Sequence, residues 1–204
     1  MVDPMKAASG AAQGTEAVGQ PDAPTDPAAL LASSSLLASR QEVQDALSRM
    51  AAAINAHYGE RPIVLLVVMT GAMMPAAWLA TRLKMPLVLD FVHATRYEGA
   101  TQGGEISFRV APRFDLAGED VLVVEDIFDV GLTLQAITRY CREQGARSVR
   151  SAVLVRKIHQ RATTGEVPDF IGLDVEDRYI FGCGMDVYEH WRHLEEIRAL
   201  EQDK

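Results

Sequence analysis

Three carboxylates stand within five positions near the middle of the chain: Glu125, Asp126 and Asp129. They follow four apolar residues at 121–124, three of which are β-branched, as is typical of a buried parallel strand. In α/β proteins, ligands gather at the carboxyl ends of such strands. The sequence therefore predicts a polar ligand site where this strand ends.

An anion site is predicted immediately after these acids, where Gly131 and Thr133 open an amphipathic helix expected over 132–144. Backbone N–H groups and the positive end of a helix bind phosphates. Neighbouring carboxylates would repel a phosphate unless a divalent cation lies between them, or unless the acids hold sugar hydroxyls while only amides contact phosphate. Either arrangement would allow a phosphate to bind beside the acids.

The segment VLVVEDIFDVGLTL at 121–134 resembles the phosphoribosyl-pyrophosphate (PRPP) motif of the purine phosphoribosyltransferases. The resemblance runs from about residue 36 to 200. It implies a type I phosphoribosyltransferase fold and the joining of a purine to PRPP with release of pyrophosphate. Four further segments resemble, in order, the first active-site loop (70–79), the flexible loop (90–108) and two parts of the purine-binding end of the hypoxanthine-guanine branch (157–161 and 168–194).

The resemblance implies specific roles for the acids. Glu125 and Asp126 would hold the ribose hydroxyls and, with Asp186, lie near a Mg²⁺ ion, which prefers oxygen ligands. Asp129 would be the general base that removes the proton from purine N7. The alternative for Glu125 and Asp126 is that they are merely exposed acids at a strand end. The alternative for Asp129 is that it caps the following helix.

The phosphate groups of PRPP are expected to contact two loops and one arginine. Val130 stands where the family usually has Thr, which removes one hydroxyl donor, and Thr70 stands where Lys or Arg is common, which removes a charge. A surface position on a helix is the alternative for Arg192. By resemblance, the PRPP-binding residues beyond the acid pair are Val130, Gly131, Leu132, Thr133, Thr70, Gly71 and Arg192.

Recognition of the base is expected at the C-terminal end of the chain. Lys157 aligns with a lysine that donates to the purine 6-oxo group, and an ammonium favours this acceptor over a 6-amino donor. Tyr179 would stack on the purine, and Ile180 would contact the base edge through its backbone; Asp186 is placed in this group too. The alternatives are that Lys157 is a solvated surface lysine and that Tyr179 is a core residue.

A lid is predicted over 95–104, a polar segment with three glycines. It would close over PRPP and exclude water, with Arg96 and Tyr97 facing the ligand. Long polar loops that are merely mobile are the alternative.

Composition limits the possible partners. The chain has 204 residues, 48% of them hydrophobic, and a net charge of −8, which argues against nucleic acid or an anionic membrane as a partner. It has no apolar run of 18 residues, and its two cysteines show no metal-binding spacing. A cytoplasmic protein is expected, and the resemblance implies a homo-oligomer, either a dimer or a tetramer.

Helices that alternate with strands predict an α/β fold, with a mostly parallel central sheet flanked by helices. Residues 1–29 are poor in large apolar side chains and are predicted to be a disordered tail, whereas 30–204 form the phosphoribosyltransferase domain. Strands after Lys157 would form a small hood over the site. Further helices are predicted over 40–58, capped by Ser39, and 75–83; strands are predicted over 62–68, 86–92, 105–110, 121–125, 148–155, 170–173 and 179–182.

Two other functions remain open from the sequence. One is a phosphoribosyltransferase for xanthine or another base, and the other is a non-catalytic regulator that senses PRPP or a nucleotide. The departures at Val130 and Thr70 favour the regulator. The acids at Glu125 and Asp129, together with Lys157, favour an enzyme.

Overall fold

Helices and strands alternate along the part of the chain that the computed structural model describes, residues 26–96, 106–163 and 165–201. Residues 1–25, most of the predicted disordered tail, lie outside this part. The elements are α1 (Pro27–Ala32), β1 (Ser34–Ala38), α2 (Arg40–Tyr58), β2 (Ile63–Met69), α3 (Met73–Ala80), β3 (Leu87–Arg96), β4 (Ile106–Val110), β5 (Asp120–Phe128), α4 (Leu132–Glu143), β6 (Ser148–Ile158), β7 (Phe170–Glu176), β8 (Ile180–Phe181) and β9 (Ile197–Leu200).

Six strands form the central sheet in the order β4-β3-β2-β5-β6-β7. All neighbours pair in parallel except the edge strand β4, which is antiparallel to β3. Strand β2 and residues 121–124 of β5 are apolar and nearly all buried, as strands covered by helices on both faces must be. Helix α2 packs on β6 and β7, α3 on β2 and β5, and α4 on β5 and β6. The predicted mostly parallel sheet flanked by helices is confirmed.

Helix α2 has the predicted bounds because its signals are local. The Ser39 side chain accepts from the Glu42 N–H, and the Glu42 carboxylate accepts from the Ser39 N–H, which closes a capping box. Its buried residues recur at helical spacing from Val43 to Tyr58. Among the described residues, no helix is long and apolar enough to cross a membrane.

A small antiparallel sheet in the order β1-β9-β8 forms the hood over the site. The prediction that all strands after Lys157 belong to this hood is wrong for β7, which pairs in parallel with β6 from Phe170 onward and extends the central sheet. Strand β9 lies in the middle of the hood and pairs with both of its neighbours. The sequence did not predict β1 or β9.

Helix α1 ties the start of the described chain to the hood. Asp26 caps it by accepting from the Ala28 N–H at 2.9 Å. Leu30 is buried in a cluster with Phe181 and Val187, and the Trp191 indole donates to the carbonyl of Pro27 at 2.9 Å. The boundary predicted after residue 29 therefore falls inside a packed helix.

Candidate active site

Two adjoining cavities lie at the carboxyl ends of the central strands, and both include Ile127 in their walls. The first, of about 180 Å³, lies between β5, β6 and the hood. The second, of about 200 Å³, lies between β5 and the start of α4. The first cavity is lined by Asp126, Ile127, Lys157, Tyr179, Ile180, Met185 and Asp186, and the second by Glu125, Ile127, Asp129, Gly131, Leu132, Thr133 and Leu134.

The N-terminus of α4 forms one wall of the second cavity. Its N-cap residue is Gly131, whose left-handed φ of 84° favours glycine, and no side chain caps the helix. The first N–H groups of a helix have no partner inside it, so this end can donate to an anion. The alternative role of Asp129 as the capping residue is therefore wrong.

The acid pair divides between the two cavities. Strand β5 continues to Phe128, beyond its predicted end at residue 125, and successive side chains of a strand point to opposite sides. Glu125 is buried against the second cavity, and Asp126 lines the first. Among the described residues, no three acidic, histidine or cysteine side chains cluster as a preformed metal site, so the predicted trio with Asp186 is not brought together in one cluster.

The Asp126 carboxyl lies in a crowded and electrostatically strained position. Its oxygens lie so close to Gly71 that a Cβ at that residue would overlap them. Burial raises the pKa of this carboxyl from 3.8 to about 6, and the nearby charge of Asp186 acts in the same direction. The N–H groups of Asp126 and Ile127 and the charge of Arg192 partly oppose the increase in its pKa. The ionised carboxylate would therefore gain from a cation or a hydroxyl donor in the first cavity.

Two loops are locked together beside Asp126. The first follows β2, where the Met69–Thr70 peptide bond is cis, and its Gly71 carbonyl approaches Gly184 of the hood too closely for any side chain there. Arg192 fixes the hood loop by donating to the Gly184 carbonyl at 2.9 Å and pairing with Asp186 at 2.7 Å. Arg192 lies in a turn and is partly buried, so the interpretation as a surface helix residue is wrong.

Lys157 and Tyr179 both line the first cavity. The Lys157 side chain is only 14% exposed, and its Nζ lies 3.6 Å from Asp177, so it is not a solvated surface lysine. Tyr179 is 52% exposed, which excludes the alternative of a core residue. Ile180 is buried beside it in β8.

Asp129 is held by residues that the sequence did not predict. Arg161 Nη2 donates to Asp129 Oδ1 at 2.7 Å and reaches both carboxylate oxygens of Asp177 at 2.9 Å. His159 Nε2 lies 2.9 Å from the same Asp129 oxygen. The Asp129 side chain is 34% exposed, so its position depends on these contacts rather than on burial.

Residues 33–189 match the model of the phosphoribosyl transferase domain. The chain belongs to the phosphoribosyl transferase family. It is 30% identical to the hypoxanthine-guanine phosphoribosyltransferase of Staphylococcus epidermidis over 169 residues, which are 82% of this chain and 94% of that protein. A solved hypoxanthine-guanine phosphoribosyltransferase from Bacillus anthracis superposes with a TM-score of 0.78 at 26% identity, covering 82% of this chain and 98% of that one. A hypoxanthine phosphoribosyltransferase from Staphylococcus aureus gives 0.77 at 25% identity, covering 82% and 91%.

Most of the predicted site residues of this phosphoribosyltransferase line the two cavities or the loops beside them. Thr70 is exposed next to Gly71, and Val130 lies between Asp129 and the helix start. The predicted lid residues cannot be placed in this way, because Tyr97 and the side chain of Arg96 lie outside the described residues. The missed residues His159 and Arg161 belong to the segment KIHQR, which begins with the last two residues of β6 and continues beyond it, beside the end of β5.

Proposed function

We propose that this chain transfers the phosphoribosyl group of PRPP to a 6-oxopurine, hypoxanthine or guanine, and forms IMP or GMP with release of pyrophosphate in purine salvage. One observation carries the proposal: a cavity lined by Lys157 and Tyr179 adjoins, at Ile127, a cavity walled by an uncapped helix N-terminus. A purine and a ribose phosphate need two such neighbouring sites. The names of the relatives support the same reaction.

The 5′-phosphate would bind in the second cavity. The N–H groups at the start of α4 would donate to its oxygens, with the Thr133 hydroxyl as an additional donor. Val130 adds no hydroxyl here, but the backbone donors do not depend on its side chain. The chain therefore keeps most of its phosphate contacts despite this departure from the family.

The acids fit a Mg²⁺ ion that arrives with the substrate. Mg²⁺ is usually held by one or two carboxylates together with substrate phosphates, and Asp126 and Asp186 supply two carboxylates in one cavity. Burial raises the pKa of Asp126, so a cation bound nearby would offset this cost and stabilise the ionised carboxylate. When bound, the ion would offset the charge of the leaving pyrophosphate. The ribose would lie where the two cavities meet at Ile127, with Glu125 reaching its hydroxyls from the second cavity and Asp126 from the first.

The purine would bind in the first cavity. The Lys157 ammonium can donate to a 6-oxo group, whereas it would face the N–H donors of a 6-amino group, so it selects against adenine. The exposed Tyr179 ring offers an apolar face for stacking, and Ile180 presents its backbone to the base edge. Asp186 closes the same wall.

Asp129 lines the second cavity two residues beyond Ile127, which both cavities share, and from there it would act as the general base on the purine. As the purine nitrogen bonds to the anomeric carbon and pyrophosphate leaves with its electron pair, the proton on N7 passes to the Asp129 carboxylate. Asp129→Asn should lower kcat about 10²–10⁴-fold with the Kd for PRPP nearly unchanged. Stopped-time assays for kcat and calorimetry for Kd measure the two effects, and an unaltered kcat would exclude this role.

An assay of the purified protein tests the function as a whole. The protein is mixed with PRPP and Mg²⁺ and with one of hypoxanthine, guanine, xanthine, adenine or uracil, and nucleotide formation is followed by absorbance. We expect turnover with hypoxanthine or guanine and one pyrophosphate for each nucleotide. If no base yields a nucleotide, the proposal is wrong.

Two further parts of the proposal concern the lid and the assembly. Arg96, the last residue of β3, and Tyr97, which follows it, would cover PRPP. A homo-oligomer, a dimer or a tetramer, is supported by exposed apolar side chains on one side of the sheet, Leu89, Phe91 and Phe114. Light scattering coupled to size-exclusion chromatography would give the mass, and a monomer at micromolar concentration would contradict this part.

A further inference from the structure

We propose that His159 is a positioning residue that aims the Asp129 carboxylate at the purine by donating a hydrogen bond from Nε2. This inference rests on the proposed function, because it assumes that Asp129 receives the purine proton. The His159 side chain is buried and lies next to Asp129.

His159 is the first residue after β6, and parallel pairing places it beside the end of β5. In this pairing Arg156 lies opposite Phe128, so the residues that follow each strand emerge side by side. The His159 side chain is only 4% exposed, and its Nε2 lies 2.9 Å from Asp129 Oδ1. The imidazole is therefore held by its surroundings within hydrogen-bonding distance of the Asp129 carboxylate.

Neither ring nitrogen of His159 makes an aligned hydrogen bond to a described residue, despite the short distance to Asp129. Buried side-chain nitrogens nearly always have a partner, so an exception at an active site requires an explanation. Hydrogen bonds between catalytic groups are often poorly aligned until the substrate binds. A small rotation of the Asp129 carboxyl group would align this contact and satisfy Nε2.

Arg161 competes for the same oxygen but is placed to release it. Its side chain is half exposed, and it can keep Asp177, whose two carboxylate oxygens both lie 2.9 Å from Nη2. A guanidinium places a positive charge on the carboxylate oxygen, whereas an imidazole N–H can orient the carboxylate through a single directional hydrogen bond. When the purine enters, Asp129 turns from Arg161 to His159. Nε2 then holds Oδ1, and Oδ2 is left to accept the N7 proton with no guanidinium on the carboxylate.

Three substitutions at His159 test the proposal. His159→Leu removes the donor and should lower kcat about 10²-fold, as expected for a misplaced catalytic group, with the Kd for PRPP within about twofold. His159→Gln carries an N–H donor at nearly the reach of Nε2 and should restore kcat to within about tenfold of the native protein. His159→Asn is shorter, so it should behave like His159→Leu. A purely structural role would not distinguish Gln from Asn in this order.

A matched control is His57→Gln. His57 is exposed in the last turn of α2, which leads into the start of β2 and so lies at the opposite end of the sheet from the site. Its replacement should leave kcat and both KM values unchanged. A loss of kcat at His57 would mean that histidine substitutions act through stability.

The outcomes separate this inference from the proposed function. If the native protein forms no nucleotide, the proposed function fails. If it is active and His159→Leu keeps its kcat, or if folded His159→Gln is no better than His159→Asn, only the role of His159 is overturned. Histidine ¹⁵N spectra give a readout that needs no turnover: we expect the proton of His159 on Nε2, and a proton on Nδ1 alone would also overturn the role.

Discussion

Replacing Asp126 with asparagine should stabilise the fold and impair PRPP binding in the same protein. Burial raises the pKa of this carboxyl from 3.8 to about 6, so the folded chain holds the ionised form at a cost. Asparagine has nearly the same shape and carries no charge. The ribose hydroxyls, however, would lose a charged acceptor.

The size of the stabilisation follows from the two pKa values. A difference between 3.8 and about 6 is worth at most about 3 kcal/mol, at about 1.36 kcal/mol for each tenfold change in proton affinity. Because the folded pKa of Asp126 lies above the unfolded value, its protonated form stabilises the fold below pH 4. This contribution is lost as the pH rises through 6. The gain from Asp126→Asn should therefore approach about 3 kcal/mol at pH 8 and shrink to about 0.5 kcal/mol at pH 4.

Urea titrations at pH 4, 6 and 8, followed by circular dichroism, would measure this difference. Calorimetry at pH 8 would give the accompanying loss of PRPP affinity. Asp45→Asn, on the exposed face of α2, controls for removing a carboxylate outside the site. A gain of equal size at pH 4 and pH 8 would show that packing rather than charge is responsible, and a loss of stability at pH 8 would refute the electrostatic account of Asp126.

Three other substitutions have defined outcomes. Lys157→Ala should raise the KM for hypoxanthine and guanine and reduce discrimination against adenine, while the Kd for PRPP stays constant. Steady-state kinetics with each base would measure these changes. Equal losses of affinity for the purine and for PRPP would instead indicate misfolding. Val130→Thr restores a hydroxyl next to the phosphate and should tighten IMP or GMP binding by about 1 kcal/mol, roughly fivefold, in calorimetry; the effect should vanish for the nucleoside, and weaker nucleotide binding would contradict it. Gly184→Ala places a Cβ against the Gly71 carbonyl, so it should lower the unfolding free energy by more than about 1 kcal/mol and weaken PRPP binding. Gly118 also has a positive φ but has open space around it. Gly118→Ala should therefore show only the cost of the backbone strain.

Local signals in the sequence were sufficient for most of the central sheet. The capping box at Ser39 and the apolar spacing from Val43 to Tyr58 specify α2 without reference to any other element. The strand at 121–124 and the glycine at 131 likewise predict β5 and the start of α4. Strand β5 nevertheless extends past the acid pair, because Ile127 and Phe128 continue its pairing with β6.

The hood and the contacts of Asp129 depend on partners that lie far away in the sequence. Strand β9 contains Arg198 and follows a run of charged residues, so its pattern alone does not indicate a strand; the Arg198 guanidinium finds its partners on Ser34 of β1. His159 contacts Asp129 only because β5 and β6 pair with Phe128 opposite Arg156. No periodicity within either segment encodes that register.

The pairing of β1 with β9 has a consequence for the order in which the molecule folds. Ser34 lies opposite Leu200, so the hood closes a loop that contains nearly the whole described chain, and contacts of such separation form late because they carry the largest loss of chain entropy. The central parallel sheet needs no such closure. A folding chain would thus acquire the N-terminus of α4 while Tyr179 and Asp186 still lack their final positions. Nucleoside monophosphates should then speed the last folding step more than inorganic phosphate does. Only they are large enough to contact both the start of α4 and the hood.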